Sequence, residues 1–314
     1  DRSSIGLIEL VKTSISIFKL IKKIKPDIVH FISIKPVTLG CIASKFLSKD
    51  INIFASISGL GYIFIDRSFL GNLRKIITCI IYKFALSNKS INVIFQNETD
   101  KNFIKKLCNL KNTNCHLIKG SGVNLTKFKY VNNELDPQAV IFPARLVKSK
   151  GIIEFINAAK ILKGKGRFVI CGDYDFEAKD FIKEELIKYE VKKGNIEYWG
   201  FQENICKIFT NASLIVLPSY REGFSKVLCE ASACGKPIVT TNVPGCREVV
   251  IDKHNGFLCA PRSSSSLINA IESMLKAEPS KLIQMGHNSF EHCKNKFDIY
   301  KVIYKYLEIF DKRY

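Results

Sequence analysis

The sequence lacks several features that would place it in a specialised class of protein. No run approaches the roughly 18 to 20 apolar residues that a membrane-spanning helix needs. The first residues, which include Asp1, Arg2 and Glu9, do not resemble a signal peptide. The eleven cysteines are scattered without a Cys-x2-Cys pair or a Cys/His cluster. Neither a zinc site nor a disulfide framework is therefore indicated, and reduced cysteines in a cytosolic protein are favoured.

Acidic residues are scarce relative to basic ones, and the imbalance is uneven along the chain. The 314 residues include 48 Lys and Arg against 29 Asp and Glu, which gives a net charge of +19. Residues 1–134 hold 21 basic and 8 acidic residues, whereas residues 135–314 hold 27 and 21. A basic first part suggests an anionic partner, such as nucleic acid, a phosphorylated substrate or an acidic membrane surface. No nucleic-acid-binding motif or aromatic stacking pattern accompanies this charge, so we do not expect a nucleic-acid partner.

The composition and periodicity that are present predict an α/β protein with two domains. The length suffices for two domains of ordinary size, and 46% of the residues are hydrophobic. Apolar residues recur at helical spacing over 5–24, and Pro26 ends that predicted helix. Short apolar runs that predict strands alternate with helices, a pattern typical of parallel sheets with helices on both faces. Ligands on such sheets gather beyond the carboxyl ends of the strands.

The predicted domain boundary is the polar segment 132–137, which divides residues 1–134 from 135–314. Before it, we predict strands at 27–32, 52–57, 92–96 and 115–119, and helices at 39–47, at 69–88 and from Asn97. After it, we predict strands at 139–143, 168–171, 196–199, 214–217 and 237–241. The tail, residues 297–314, has the spacing of an amphipathic helix.

Two predicted strand-to-helix turns of the second domain carry charged residues where ligands bind. Arg145 and Lys150 follow the first strand of this domain, and both cations could point at a diphosphate. Glu222 lies in the turn after the strand 214–217, and Glu230 lies inside the helix that follows. Such a turn directs backbone N–H groups and the positive end of a helix dipole at its ligand, which favours a phosphate. Taken alone, either pair could also be exposed surface charge.

The segment from Pro218 to Val239 strongly resembles the nucleotide-sugar site of retaining GT-B glycosyltransferases of family 4. That family carries Glu-x7-Glu here, followed by Glu-Ala-x-Ala-x-Gly-x-Pro-Val, and the residues at the matching places are Glu222, Glu230, Ala231, Ala233, Gly235, Pro237 and Val239. Arg145 and Lys150 are similar to the Arg-x4-Lys-Gly donor-phosphate motif of the family. The resemblance implies the GT-B fold, in which two Rossmann-like domains face each other across a cleft.

The resemblance also implies roles for single residues. As catalytic residues it implies Glu222 at the hydroxyls of the donor sugar, with Arg145 and Lys150 at the diphosphate. It implies Glu230 at the ribose of the nucleotide. The other donor-binding candidates are Gly223, Phe224, Ser225 and Val227, with Gly200 and Phe201 at the base and Gly172 at a close approach of backbone. Metal is not expected, because the two cations can stabilise the diphosphate.

The first domain resembles a branch of the family that extends lipid-linked oligosaccharides. Segments 25–30, 35–36, 58–62, 95–97 and 120–123 carry this resemblance. Many members have a His just before the glycine turn, where this chain has Ser58, so no His can be assigned a role there. The resemblance leaves Ser58, Gly59 and Asn97 as candidates for contacts with the acceptor or sugar. The first strand and glycine-rich turn of the family have no counterpart, so we expect the sequence to be a fragment or truncated, with N-terminal strands lacking.

The resemblance predicts a retaining hexosyltransferase or N-acetylhexosaminyltransferase. It would transfer a sugar from a UDP-sugar to a polyprenyl-diphosphate-linked or polysaccharide acceptor in cell-surface glycan synthesis. We expect a peripheral protein on the cytoplasmic face of an anionic membrane. The resemblance implies a tail helix that crosses back to the first domain, and its apolar face is equally consistent with packing on its own domain. The alternatives are a nucleotide-sugar epimerase on the same fold, a non-enzymatic binding module, and a fragment that binds nucleotide without turnover.

Overall fold

The computed structural model describes residues 7–47, 50–66, 68–87, 91–130 and 139–311. The chain divides into two compact units, Asp1–Lys119 and Gly120–Tyr314. This division comes earlier in the chain than the predicted boundary, and segment 132–137 lies outside the described residues. Val123 explains the difference, because its N–H donates to the carbonyl of Phe297 at 2.8 Å and its carbonyl accepts from Ile299 at 3.0 Å. These backbone hydrogen bonds attach the residues after Lys119 to the second unit.

The first unit is a parallel sheet with four described strands in the order β1-β2-β3-β4. The strands are β1 (Ile28–Ile32), β2 (Asn52–Ile57), β3 (Asn92–Phe95) and β4 (Cys115–Leu117). The helices are α1 (Leu7–Ile24), α2 (Ile34–Ser44), α3 (Phe69–Ala85) and α4 (Glu98–Cys108). All of β3 is buried, as its central position requires, and α1 and α3 both pack on α2. The predicted strands are confirmed, and so are the helices at 5–24 and 69–88 over the part of each that the structure describes.

Helix α2 begins earlier than predicted, at Ile34 instead of Leu39. Pro36 therefore lies inside its first turn. The first helical hydrogen bond is donated by the Val37 N–H to the carbonyl of Ser33, at 3.0 Å. Because N–H groups of a first turn have no partner within the helix, a proline there forfeits no hydrogen bond.

The second unit is a parallel sheet with six described strands in the order β10-β9-β8-β5-β6-β7. The strands are β5 (Ala139–Pro143), β6 (Arg167–Cys171), β7 (Glu197–Gly200), β8 (Leu214–Leu217), β9 (Ile238–Thr241) and β10 (Gly256–Cys259). The helices are α5 (Ile152–Ile161), α6 (Glu184–Lys192), α7 (Ile205–Thr210), α8 (Lys226–Ala233), α9 (Ser264–Leu275), α10 (Pro279–Lys296) and α11 (Ile299–Asp311). The predicted strands of this part are confirmed, and the predicted tail helix is α11. None of the helices in the described ranges is both long and apolar enough to cross a bilayer.

The strand order of the second unit reverses between β5 and β8. The chain runs outward from β5 through β6 to β7, returns to β8 on the other side of β5, and continues to β9 and β10. Helix α5 packs on α9, whereas α8 packs on α7 and α10. The segment after β5 (residues 144–151, the β5 turn) and the segment after β8 (residues 218–225, the β8 turn) therefore diverge at the carboxyl edge of the sheet. Ligands of open α/β sheets bind at such a switch point.

Candidate active site

The β5 turn and the β8 turn are joined by backbone contacts. The N–H of Tyr220 donates to the carbonyl of Ser149 at 2.9 Å. Gly151 has a φ of 79°, and a Cβ on it would lie 2.2 Å from the carbonyl oxygen of Pro218. Only glycine permits both this conformation and this approach. The side chains that follow these contacts are therefore held at a fixed separation.

This arrangement brings Lys150 and Glu222 together. The Nζ of Lys150 lies 2.5 Å from Oε1 of Glu222, and the two side chains are 23% and 13% exposed. The hydroxyl of Ser219 donates to the same oxygen at 2.7 Å. An ion pair this far from solvent is screened less than a surface pair. Lys150 and Glu222, two predicted site residues that lie 72 positions apart in the sequence, thus form one charged centre.

The loop after β9 is hydrogen-bonded to the backbone of the β8 turn. The N–H of Glu222 donates to the carbonyl of Pro244 at 3.3 Å, and the N–H of Ser225 donates to that of Gly245 at 3.1 Å. Gly245 has a φ of 80°, and a Cβ on it would lie 2.8 Å from both the Cβ of Glu222 and the carbonyl carbon of Gly223. The backbone that presents Glu222 is therefore fixed by a third strand end of the same sheet.

Arg145 belongs to a different ion pair. Its guanidinium contacts the carboxylate of Asp175, and the Arg145 side chain is 57% exposed. The sequence analysis did not identify Asp175. Its position supplied a signal, because Asp175 follows β6 and so lies at the same carboxyl edge of the sheet as the β5 turn.

The backbone of Gly172 lies close to the β5 turn. A Cβ on Gly172 would lie 1.9 Å from the carbonyl oxygen of Ala144. Its N–H donates to the carbonyl of Gly200 at 2.9 Å. Gly200 has a φ of 66°, and the Phe201 ring that follows is 68% exposed. Gly172 and Gly200 thus have a structural role, and Phe201 is accessible to a ligand.

Glu230 lies in the second turn of α8, and its carboxyl group is largely removed from solvent. Burial raises the pKa of the Glu230 carboxyl, and the opposing effects of Lys226 and Lys127 are smaller. The Nζ of Lys226 lies 3.6 Å from Oε1 of Glu230. A carboxylate with this little solvation gains strongly from hydroxyl donors of a ligand.

The remaining donor-site candidates lie around the start of α8. The half-buried ring of Phe224 packs edge-on against that of Phe297, with centroids 5.0 Å apart. A Cβ on Gly120 would lie 2.3 Å from the Phe224 ring, so glycine is needed there. Ser225 is buried at the N-cap of α8, and Val227 is half-buried against the core.

A hydrogen bond that the sequence analysis missed connects the β8 turn to α5. The hydroxyl of Tyr220 donates to Oε1 of the buried Glu154 at 2.8 Å. The guanidinium of Arg262 lies 4.5 Å from the centroid of the Tyr220 ring. Like the Lys150–Glu222 contact, this bond joins the β8 turn to the part of the chain that follows β5. No spacing in the sequence indicates it.

Replacing Tyr220 by phenylalanine is expected to destabilise the second unit. The change removes one hydroxyl donor and leaves a carboxylate buried, which costs about 1 to 3 kcal/mol. Urea unfolding of the wild type and of Tyr220→Phe measures the difference. Tyr189→Phe is the matched control, because that ring is exposed on α6. Equal stability of all three proteins would contradict a contribution from the Tyr220–Glu154 bond.

Candidates in the first unit follow the ends of its central strands. Ser58 and Gly59 come after β2 and are half-buried. Asn97 comes after β3 and is fully buried; its side-chain oxygen accepts from the N–H of Asp100 at 2.8 Å, which caps α4. Its amide nitrogen donates to the Asp100 carboxylate at 3.0 Å. Capping therefore explains an asparagine at this position without the predicted contact to a ligand.

Family models match both parts of the chain. The model described as glycosyl transferases group 1 matches residues 123–292, more than half of the sequence, and includes both turns of the candidate site. The chain belongs to the glycosyl transferases group 1 family. A second model, described as glycosyl transferase 4-like, matches residues 1–97.

Individual relatives of this glycosyltransferase match along nearly its whole length. It is 29% identical over 325 residues to the N,N'-diacetylbacillosaminyl-diphospho-undecaprenol alpha-1,3-N-acetylgalactosaminyltransferase of Campylobacter jejuni, which covers 99% of this chain and 84% of the relative. It is 26% identical over 336 residues to the UDP-Gal:alpha-D-GlcNAc-diphosphoundecaprenol alpha-1,3-galactosyltransferase of Escherichia coli, with 98% and 81% covered. The crystal structure of Anabaena HepE in complex with UDP has a TM-score of 0.77 at 20% identity, covering 96% of this chain and 82% of that one. The predicted GT-B fold, with two Rossmann-like domains, is confirmed.

Proposed function

We propose that this glycosyltransferase transfers a hexose or an N-acetylhexosamine from a UDP-sugar to a polyprenyl-diphosphate-linked glycan, with retention of anomeric configuration. The reaction would be one step in the assembly of a cell-surface glycan. The contact between Lys150 and Glu222 at the switch point of the sheet carries the proposal. It joins a cation suited to a diphosphate and a carboxylate suited to sugar hydroxyls, the two halves of a nucleotide sugar.

Donor binding would proceed by an exchange of partners. Without a donor, Lys150 and Glu222 satisfy each other, which avoids an unpaired charge in a half-buried site. The diphosphate would then take Lys150, and hydroxyl groups of the sugar would donate to Glu222. Arg145 would turn from Asp175 to the same diphosphate as a bidentate donor. The N-terminal end of α8 adds a favourable dipole for the phosphates.

The nucleoside would extend away from this charged centre. Glu230 would accept hydrogen bonds from the ribose hydroxyls, which would compensate the desolvation of its carboxylate. The exposed ring of Phe201 offers an apolar face to the base. Uridine is the expected nucleoside, because the E. coli relative is named for UDP-Gal and the Anabaena structure contains UDP.

The transfer step would occur on one face of the sugar. The bond from the anomeric carbon to the leaving diphosphate breaks, the bond to the acceptor oxygen forms, and the acceptor proton passes to the departing phosphate. Glu222 is an unsuitable base for this proton, because its carboxylate would already accept from Ser219 and from the hydroxyl groups of the donor sugar. Lys150 and Arg145, and no metal ion, would stabilise the negative charge that grows on the diphosphate.

The names of the relatives and the charge of the chain support a lipid-linked acceptor. The Campylobacter and E. coli relatives are both named for substrates linked to diphosphoundecaprenol. The excess of 21 basic over 8 acidic residues in 1–134 fits an acceptor with a diphosphate and a membrane surface that is anionic. We therefore propose a peripheral protein on the cytoplasmic face of the membrane.

A thermal-shift screen of UDP-sugars tests the donor assignment. Binding to the folded state at a hundredfold excess over Kd adds about 2.7 kcal/mol, so the matching UDP-sugar should raise Tm by several degrees. GDP-mannose and ADP-glucose serve as controls. A stronger shift with either control than with every UDP-sugar would contradict the uridine assignment.

The reaction itself is tested by incubating the matching UDP-sugar with and without a polyprenyl-diphosphate-linked oligosaccharide. NMR should show release of UDP and a new α-linkage only when the acceptor is present. A new UDP-sugar formed without acceptor would identify an epimerase instead. Binding of UDP without either product would identify a nucleotide-binding protein that lacks turnover.

A further inference from the structure

Helix α3 of the first unit carries an exposed apolar face. Six large apolar side chains form this face, and each is between 48% and 85% exposed: Phe69, Leu73, Ile76, Ile77, Ile80 and Phe84. Successive residues of a helix turn by about 100°, so these six fall in a sector of about 100°. The buried residues Gly71, Tyr82 and Ala85 lie on the opposite side. The helix thus packs on its own unit with one side and presents an apolar surface with the other, which we call the α3 face.

Cations border the α3 face on both sides. Lys83 is about 20° around the helix from Ile76, and Arg74 is about 20° from the exposed Ile81 on the other border. Helix α3 contains no acidic residue. The Nζ of Lys45, from the end of α2, lies 3.8 Å from the centroid of Phe84 and adds a further positive charge. An apolar sector with cations along its edges is typical of a helix that lies in a membrane interface.

We infer that the α3 face is a docking surface for an anionic phospholipid bilayer. The apolar side chains would enter the boundary between headgroups and acyl chains, while Arg74 and Lys83 would extend to lipid phosphates. A second copy of the chain fits less well, because a symmetric pairing through this face would bring the cations of both copies together with no acidic residue of α3 between them. Charge complementarity therefore favours lipid over self-association.

This inference rests on the proposed function, because a lipid-linked acceptor is held in the bilayer. Docking through the α3 face would keep the first unit at the membrane surface, where the diphosphate of such an acceptor lies. The free energy of membrane binding would then have an apolar term and an electrostatic term. The apolar term is independent of salt, whereas the term from Arg74 and Lys83 weakens as salt screens the charges.

Vesicle flotation of the full chain tests the apolar term. The wild type should float with vesicles of equal parts phosphatidylcholine and phosphatidylglycerol. The double substitution Ile76→Ser and Ile80→Ser removes apolar groups from the centre of the α3 face and should weaken partitioning about tenfold or more. Ile161→Ser with Val191→Ser is the matched control, because these residues are exposed on α5 and α6 of the second unit. The control should float as the wild type does.

The charged borders are tested by Arg74→Gln with Lys83→Gln. Each cation near an anionic surface changes the partition coefficient about fivefold, so the double variant should bind at least tenfold more weakly. With vesicles of phosphatidylcholine alone, the wild type should lose most of its binding and the charge variant should resemble it. Wild-type flotation of both double variants with the mixed vesicles would overturn the inference.

Two further measurements separate this inference from its alternatives. The UDP-sugar thermal shift is repeated on every variant, and it should be unchanged because α3 is in the other unit. A wild type that shows this shift and does not float would overturn the docking surface and leave the proposed function standing. A wild type that is dimeric by light scattering, with a monomeric Ile76→Ser/Ile80→Ser variant, would identify the α3 face as an interface between copies instead.

Discussion

Replacing Glu222 by alanine is expected to reduce kcat/KM for sugar transfer about 10³-fold or more, because the change removes both the acceptor of the sugar hydroxyls and the partner that orients Lys150. The fold should persist. Glu222 lies in a turn fixed by backbone hydrogen bonds from its own N–H and from Ser225, which the substitution leaves in place. Loss of this partly buried pair should cost about 2 kcal/mol, between the values for exposed and for fully buried pairs.

Glu222→Gln separates the two roles of the carboxylate. Glutamine retains an oxygen for the sugar hydroxyls but no longer holds Lys150 by charge, so Lys150 becomes available to the diphosphate. We therefore expect tighter binding of UDP than in the wild type, with transfer between that of the wild type and that of Glu222→Ala. Calorimetric titration with UDP and a transfer assay give the two quantities.

The control for Glu222 is Glu203→Ala, which removes an exposed carboxylate of the same unit. Its transfer rate and its UDP affinity should match the wild type. If Glu222→Ala and Glu203→Ala both turned over at the wild-type rate, Glu222 would have no role in transfer. The proposed role of the Lys150–Glu222 pair in donor binding would then be wrong.

Replacing Lys150 by alanine is expected to have a comparable effect on transfer through the leaving group. Lys150 contacts Glu222, and without it the charge on the departing diphosphate would be met by Arg145 and the dipole of α8. We expect kcat/KM to fall about 10²- to 10³-fold. The affinity for UDP should fall about tenfold or more, since a hydrogen bond from a charged group is worth about 1.5 to 3 kcal/mol.

Lys148→Ala is the matched control for Lys150. Lys148 is exposed, lies in the same short 3₁₀ helix, and has the same net charge. A long-range effect of charge would weaken UDP binding equally in both variants, whereas direct contact affects Lys150→Ala alone. UDP affinity at low and at high salt distinguishes these outcomes, because salt screens the long-range effect.

The strands and the two charged turns could be predicted from sequence because their signals are local. A buried strand requires a short apolar run, and β8 is such a run with both ends as predicted. The helix start near Ser225 was predictable for the same reason, since α8 begins at the next residue. The start of α2 was not, because a proline can either prevent a helix or occupy its first turn, and Pro36 does the latter.

For Asn97, the sequence indicated the position of the residue in the fold but not the partner of its side chain. The sequence places it after a strand, where ligands gather, and that placement is correct. Its side chain is nevertheless bonded to Asp100 and buried, because a helix that starts there needs a cap. Position at the carboxyl edge of a sheet is set by the chain order, whereas the direction of a side chain depends on its neighbours.

The amino-acid sequence by itself determined that this chain is an α/β glycosyltransferase with Arg145, Lys150 and Glu222 at strand-to-helix turns and Glu230 in the helix that follows. Only the tertiary structure decided which of these residues meet: Lys150 contacts Glu222, whereas Arg145 contacts Asp175. It alone also showed the bond from Tyr220 to Glu154 and the exposure of the α3 face. The physical reason is that propensity and periodicity act between near neighbours in sequence, while ion pairs and exposed surfaces depend on how distant segments pack.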